Sequence, residues 1–163
     1  MSLPTHPGPD DERWMREALE EARRAAAMGE APIGAVVVFE GRIVSRGCNQ
    51  PLSTSDPTAH AEILAIREAG RALGLQRLTG CSLYVTIEPC AMCAGAMIHA
   101  RIDRLVFGAR NDKFGACGSQ CDLFAAGTWN HRVQWREGVL ADEAAALMRE
   151  FFRSRRDGAE RPR

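Results

Sequence analysis

His60 and Glu62 stand two residues apart in this chain, and Cys90 and Cys93 stand three apart directly after Pro89. Side chains three residues apart share one side of a helix, so a helix opening at Cys90 gathers both sulfurs. At a helix N-terminus the backbone N–H groups and the macrodipole favour thiolate over thiol. Two thiolates and one imidazole form a donor set suited to zinc, and three protein ligands leave a tetrahedral ion one open position. Open zinc sites are catalytic: the ion lowers the pKa of a water from about 15.7 to roughly 7. Glu62 is close enough to move protons without ligating. It can take one from the water, pass it to a ring nitrogen and later help an amine leave. The chemistry implied is hydrolytic deamination, in which water adds to a carbon bearing an exocyclic amine and ammonia departs.

Each half of this pattern has a plainer reading. C-x-x-C alone also marks structural zinc half-sites and redox pairs, and H-x-E alone is ordinary helix-surface chemistry. Together, with Pro89 before the first cysteine and 26 residues between Glu62 and Pro89, they form the pattern of a catalytic deaminase zinc site. A structural site needs a fourth Cys or His. Cys81, Cys117, Cys121 and His99 are available, but none has partner spacing, and buried thiols or core packing account for them.

Local patterning supplies elements to position these residues. Asp10 and Asp11 suit the positive start of a helix whose buried face carries Trp14, Ala18, Leu19, Ala22 and Ala26, with Gly29 as its stop. Ile33–Phe39 and Arg42–Gly47 are two β-branched runs separated by Glu40-Gly41, which predicts a hairpin. Asn49–Thr58 is polar and proline-punctuated, a loop. A helix is predicted over Ala59–Leu73, with Ile63, Leu64 and Ile66 on its buried side. It is followed by a strand at Ser82–Ile87, an apolar helix at Ala91–Ala100 and a strand at Ile102–Ala109. Asn111–Asn130 reads as irregular with one short helix near Leu123, Val133–Trp135 as a last strand, and Asp142–Arg156 as a closing amphipathic helix. Alternating helices and strands predict one α/β domain with a central sheet covered on both faces.

The domain expected over residues 10–156 is flanked by a disordered tail over 1–9 and a basic tail over 157–163. With 163 residues, 45% of them hydrophobic, it is long enough to bury a core without disulfides. No apolar run approaches the ~20 residues of a membrane span, and Met1–Pro9 lacks the apolar centre of a secretory signal. Six cysteines in such a chain suggest ligands and buried thiols, and a cytoplasmic location. A formal net charge of +0 gives no general affinity for polyanions. The cations are nonetheless unevenly placed, with Arg149, Arg153, Arg155, Arg156, Arg161 and Arg163 near the C-terminus.

The stretches APIGAVVV, DPTAHAEILAIREA, LYVTIEPCAMCAGAMIHARI, LVFGAR and FFRSRR resemble the bacterial tRNA-specific adenosine deaminases of the cytidine-deaminase-like superfamily. The resemblance runs from Trp14 to about Arg156. It implies a three-layer α/β/α cytidine deaminase-like fold with a five-stranded mixed sheet, one zinc ion on His60, Cys90 and Cys93, and Glu62 as proton shuttle. It places Asn49 against a flipped nucleoside, Ile33 and Ala35 in the base pocket, and Ala61 and the backbone at Pro89 along the base edge. Arg155 and Arg156 match arginines that hold RNA phosphates, and Asn111 and Lys113 match positions near the nucleic-acid backbone. The implied substrate is the wobble adenosine of a tRNA anticodon stem-loop, usually that of an arginine tRNA, bound near the interface of a homodimer.

The chain departs from this pattern after Phe107-Gly108-Ala109-Arg110, where the family usually has Asp and this chain has Asn111. The loss removes a charge that repels phosphate and bears on the preference for RNA over DNA. Phe114, Cys117 and Cys121 also stand where smaller or different residues are common. Two other readings remain at this stage. One is a small-molecule deaminase of guanine, cytosine or cytidine, which needs a lid and no basic C-terminal helix. The other is a silent RNA-binding or partner subunit, which retention of Glu62 disfavours.

Overall fold

The computed structural model describes residues 8–159. In chain order the elements are α1 (Asp11–Ala27), β1 (Gly34–Phe39), β2 (Arg42–Cys48), α2 (Pro51–Thr54), α3 (Ala61–Leu73), β3 (Ser82–Ile87), α4 (Ala91–Ala100), β4 (Arg104–Ala109), β5 (Gln134–Arg136) and α5 (Ala141–Ala159). The five strands form one mixed sheet in the order β2-β1-β3-β4-β5. The β1 pairings with β2 and β3 are antiparallel, and β3–β4 and β4–β5 are parallel. The hairpin turns through Glu40 and Gly41, both at positive φ (50° and 71°), as the favoured two-residue hairpin turn requires.

Strand alternation sends Val36, Val38, Tyr84 and Val106 to one face, where α1 and α5 cover them. Ala35, Val37, Leu83, Val85, Leu105 and Phe107 face the other way, toward α3 and α4. The result is the expected three-layer α/β/α arrangement. Two glycines let helices approach the sheet closely. A Cβ on Gly34 would lie 2.1 Å from the Ala18 carbonyl oxygen of α1, and one on Gly47 would lie 2.2 Å from the Ala61 carbonyl oxygen of α3.

That close approach refines the expectation for α3 and corrects it at Leu64. Its wholly buried apolar side chains are Ala61, Ala65 and Ala69, whereas Ile63 and Ile66 are half-buried against the same core and Leu64 is half-buried. A helix whose backbone touches the strand has room for methyl groups alone on that side. On α1, Ala25 is buried and Ala26 half-buried. The helix also begins two residues later than predicted, at Ala61, and the loop after β2 contains the short α2. No helix forms near Leu123. Asp122 instead caps a turn by accepting hydrogen bonds from the Phe124 and Ala125 N–H groups at 3.1 and 3.2 Å, and a bridge pairs Cys117 with Asp122. Of the expected tails, residues 1–7 and 160–163 lie outside the described residues. Asp157, Gly158 and Ala159 continue α5.

Candidate active site

His60 ends the Asn49–His60 loop as the N-cap of α3, and Cys90 is the N-cap of α4. The two helix N-termini converge on one face of the sheet. His60 Nδ1 lies 3.6 Å from Cys90 Sγ and 3.6 Å from Cys93 Sγ, and the three donor atoms lie within 4.8 Å of one another. Tetrahedral zinc with Zn–S of about 2.3 Å and Zn–N of about 2.0 Å sets its N and S ligands roughly 3.5 Å apart. Both the spacing and the donor types therefore fit zinc.

The protons of this cluster are unevenly held. The Cys93 thiol donates to Cys90, and this bond, helped by His60, brings Cys90 down to about 4 despite its burial. The same bond, with burial and the Glu62 charge, pushes Cys93 up. The hydrogen bond to Cys90 raises His60 against the effect of its burial. Two adjacent thiolates are thus tolerated only with a proton or a cation between them. Glu62, the second residue of α3, is 4% exposed. Burial, reinforced by the Cys90 thiolate, raises its carboxyl to about 7 against the lowering effects of its own N–H, His60 and Cys93. A carboxyl so placed is poised to exchange protons near neutrality.

The expected pocket residues gather at the adjoining ends of β1, β2 and α3. Asn49 follows β2, is 7% exposed and donates its backbone N–H to the Ile33 carbonyl at 3.0 Å. Ile33 is half-buried, while Ala35 and Ala61 are wholly buried between β1 and α3. The Pro89 carbonyl accepts a hydrogen bond from the Ala116 N–H at 2.8 Å, which leaves only its second lone pair for a ligand.

Two buried carboxylates that the motif reading did not single out hold the surrounding loops. Glu30, 1% exposed, accepts the Ser53 N–H at 2.6 Å and so ties α2 beside Asn49. Glu88, 2% exposed, precedes Pro89 and accepts the backbone N–H groups of Asn111, Cys117 and Ser119 at 3.0, 2.9 and 3.1 Å, with the Ser119 hydroxyl as a fourth donor. Its burial favours the neutral acid, but these donors outweigh that and hold it below the usual carboxylate range. A charged residue ending an apolar strand run just before a metal ligand was the one available signal.

Asn111 stands on the loop held by Glu88, and its side-chain carbonyl accepts the Lys113 and Phe114 N–H groups at 3.3 and 3.2 Å. Lys113 is exposed and lines an open cleft of about 990 Å³ with Met148, Arg149, Phe152, Arg153 and Arg156. Arg155 borders the same cleft, but it donates to the Gly29 carbonyl and lies over the Phe151 ring at 4.8 Å. The structure therefore gathers the expected metal ligands and proton shuttle at one point and the expected RNA-binding cations along a neighbouring cleft.

This fold, bearing an imidazole and two cysteine sulfurs clustered beside a buried carboxyl group, defines a zinc-dependent deaminase. The family description "Cytidine and deoxycytidylate deaminase zinc-binding region" matches residues 9–109, and the chain belongs to that family. It is 49% identical over 148 residues to a tRNA-specific adenosine deaminase of Haemophilus influenzae, spanning 90% of this chain and 86% of that protein. A structure solved in a study of A-to-I editing by tRNA:A34 deaminases at the wobble position of transfer RNA superposes with a TM-score of 0.81. It is 46% identical and covers 83% of this chain and 98% of the other. A guanine deaminase from Nitrosomonas europaea superposes with a TM-score of 0.75 at 28% identity, covering 92% and 96% of the two chains.

Proposed function

We propose that this chain deaminates adenosine to inosine at the wobble position of a tRNA anticodon, with an arginine tRNA as substrate. The observation that carries the reaction is the meeting of His60, Cys90 and Cys93 with the buried Glu62 carboxyl at two helix N-termini. Zinc, when bound, supplies a water that is nucleophilic at neutral pH. Glu62 accepts the proton this water loses as it adds to C6 and delivers it to N1; it then takes the remaining proton from the new C6 hydroxyl and passes it to the amine, which leaves as ammonia. Water is consumed, ammonia is released, and the hypoxanthine carbonyl remains.

Asn49 orients the nucleoside, with the half-buried Ile33 and the Pro89 backbone beside it and the wholly buried Ala35 and Ala61 packed behind them. Two observations support this placement: the burial of the Asn49 carboxamide, and its position on the loop that also presents His60. Asn111, Lys113, Arg155 and Arg156 line the path of the RNA backbone, supported by the cleft that joins Lys113 to α5. Homodimer formation draws support from the exposed apolar chains Leu52 and Met92 on helices beside the site, and sedimentation measures it. No helix among the described residues is long and apolar enough to cross a membrane.

The resemblance to guanine deaminase keeps one rival reading, a deaminase of free purine bases. Incubating the zinc-loaded protein with an arginine anticodon stem-loop, guanine and free adenosine separates the two. Mass spectrometry should find amine-to-oxygen exchange in the stem-loop at the wobble adenosine. Turnover of guanine with an untouched stem-loop would establish the rival.

A further inference from the structure

Phe114 is 70% exposed, the most exposed large apolar side chain among the described residues. Isolated exposed aromatics are common, but this one is held in place beside the catalytic centre. Its N–H donates to the Asn111 side chain at 3.2 Å, and the following Gly115 N–H donates to the Asn111 carbonyl at 2.8 Å. Glu88 grips the loop on both sides through Asn111 and Cys117. Gly115 pairs with Cys90 in an isolated antiparallel bridge, and a Cβ on Gly115 would lie 2.4 Å from the Glu88 carboxylate. The ring is therefore one residue from a backbone pairing with a zinc ligand, on a segment without slack to fold it inward.

The residue on the other side of Phe114 is Lys113, which lines the arginine-bordered cleft. Phe114 thus stands between the point of chemistry and the cationic surface. A polynucleotide that inserts one base at the zinc site and rests its phosphates in the cleft must cross this position. Bases unstacked from a single strand find compensation on aromatic faces, largely without regard to sequence.

We propose that Phe114 is a stacking platform for a nucleobase adjoining the one deaminated. The inference rests on the polynucleotide reading of the substrate and adds a residue that holds the flanking strand. Fixing the backbone that carries the ring lowers the ordering cost on binding. Because the contact is apolar, its contribution is insensitive to salt, unlike that of neighbouring Lys113.

The test compares the zinc-loaded wild type, Phe114→Ala and Phe114→Trp on an anticodon stem-loop and on stem-loops made abasic at each position flanking the target adenosine. Phe114→Ala should raise KM roughly fivefold or more with little change in kcat, and Phe114→Trp should restore it. One abasic position should raise KM for wild type and have no further effect on Phe114→Ala, the coupling expected of two groups in contact. The inference is overturned if KM of Phe114→Ala stays within about twofold of wild type, or if the abasic and alanine effects simply add at every position. It is also overturned if the alanine variant changes sedimentation, because the ring would then belong to a protein–protein contact. A wild-type protein that leaves every stem-loop untouched brings down the functional reading as well as this inference. Turnover with an indifferent Phe114→Ala removes this inference alone.

Discussion

In the proposed reaction the proton carrier is Glu62, whose carboxyl is raised to about 7 by burial and the Cys90 thiolate. Glu62→Gln keeps the shape and burial of the side chain but cannot cycle a proton. It is expected to retain one zinc per chain and the wild-type Tm while losing about 100- to 10,000-fold in kcat. Elemental analysis alongside a single-turnover assay checks both halves, and turnover within a few-fold of wild type would remove the shuttle role. Asn111→Asp separates two duties of one residue. The Asp side chain can still accept the Lys113 and Phe114 N–H groups that Asn111 holds, so the loop and the Tm should persist. A new negative charge beside the strand's path should weaken binding, most visibly at low salt, and matched RNA and DNA hairpins measure whether the cost differs between sugars. A tenfold or greater RNA preference that is the same in Asn111→Asp would dismiss the idea that Asn111 relaxes that preference. The metal ligands were legible in the sequence because their geometry is local, one helical turn or one helix start. Glu30 and Glu88 were not, because their partners are backbone N–H groups of irregular loops, whose path side-chain patterns do not declare.

Elements carry these residues only as accurately as they pack. Gly47 lets α3 lie against β2, and the Ala61 carbonyl it accommodates sits between His60 and Glu62. Gly47→Ala must push the start of α3 outward, so it should reduce zinc occupancy and lower kcat together with Tm. Gly34→Ala makes a comparable clash with α1 on the opposite face and should lower Tm while the surviving folded protein keeps its metal. Equal zinc loss in both would show that the effect is general unfolding. Asp11 joins elements in another way. It begins α1 and accepts hydrogen bonds from Tyr84 of β3 at 2.9 Å, Arg104 of β4 at 2.7 Å and Arg136 of β5 at 3.0 Å. Burial alone would raise its pKa, but Arg104, the Gly8 N–H and Tyr84 outweigh that and leave it below 3.8. A depressed carboxylate contributes its stability above the unfolded value near 3.8, and the contribution drains away as pH falls through the lower folded value. Asp11→Asn leaves the buried Arg136 and the half-buried Arg104 short of their counter-charge, and solvent at Arg104 holds the cost to about 3 kcal/mol, or roughly 10 °C in Tm. Thermal melts should show that gap constant from neutrality down to about pH 4 and narrowing below it. A gap independent of pH to 2.5 would contradict the ionic account. Strand periodicity made the sheet and its two covered faces legible. On α3 hydrophobicity correctly marked Ile63 and Ile66, which border the core, but not the alanines at its centre, which close approach to Gly47 selects. Asp122 accepts the Phe124 and Ala125 N–H groups as a helix cap would, but the segment after it makes a single turn and no helix.

Across the whole molecule the formal charge is zero, so any affinity for a polyanion must come from how the charges are arranged. The described cations do gather: Lys113, Arg149, Arg153, Arg155 and Arg156 border one open cleft, with Glu150 the only acid among its lining residues. A single strand lying there would release about 0.7 counterions for each phosphate neutralised, and the count appears as the slope of log K against log salt concentration. Arg153→Gln and Arg156→Gln should each flatten that slope by about 0.7 if each residue meets one phosphate, and the double variant by about 1.4. Arg155 borders the same cleft but is committed elsewhere, donating to the Gly29 carbonyl at the end of α1 and covering Phe151. Its replacement by Gln should therefore act mainly on Tm by loosening α5 from α1, with a smaller change in slope. Binding titrations at several salt concentrations, paired with melts of the three single variants, distinguish a phosphate contact from an interhelical tie. If Arg155→Gln flattens the slope as much as Arg153→Gln and leaves Tm unchanged, then Arg155 leaves Gly29 when RNA arrives. If none of the three moves the slope, the strand leaves the zinc site by another route, and the cleft has no part in holding it.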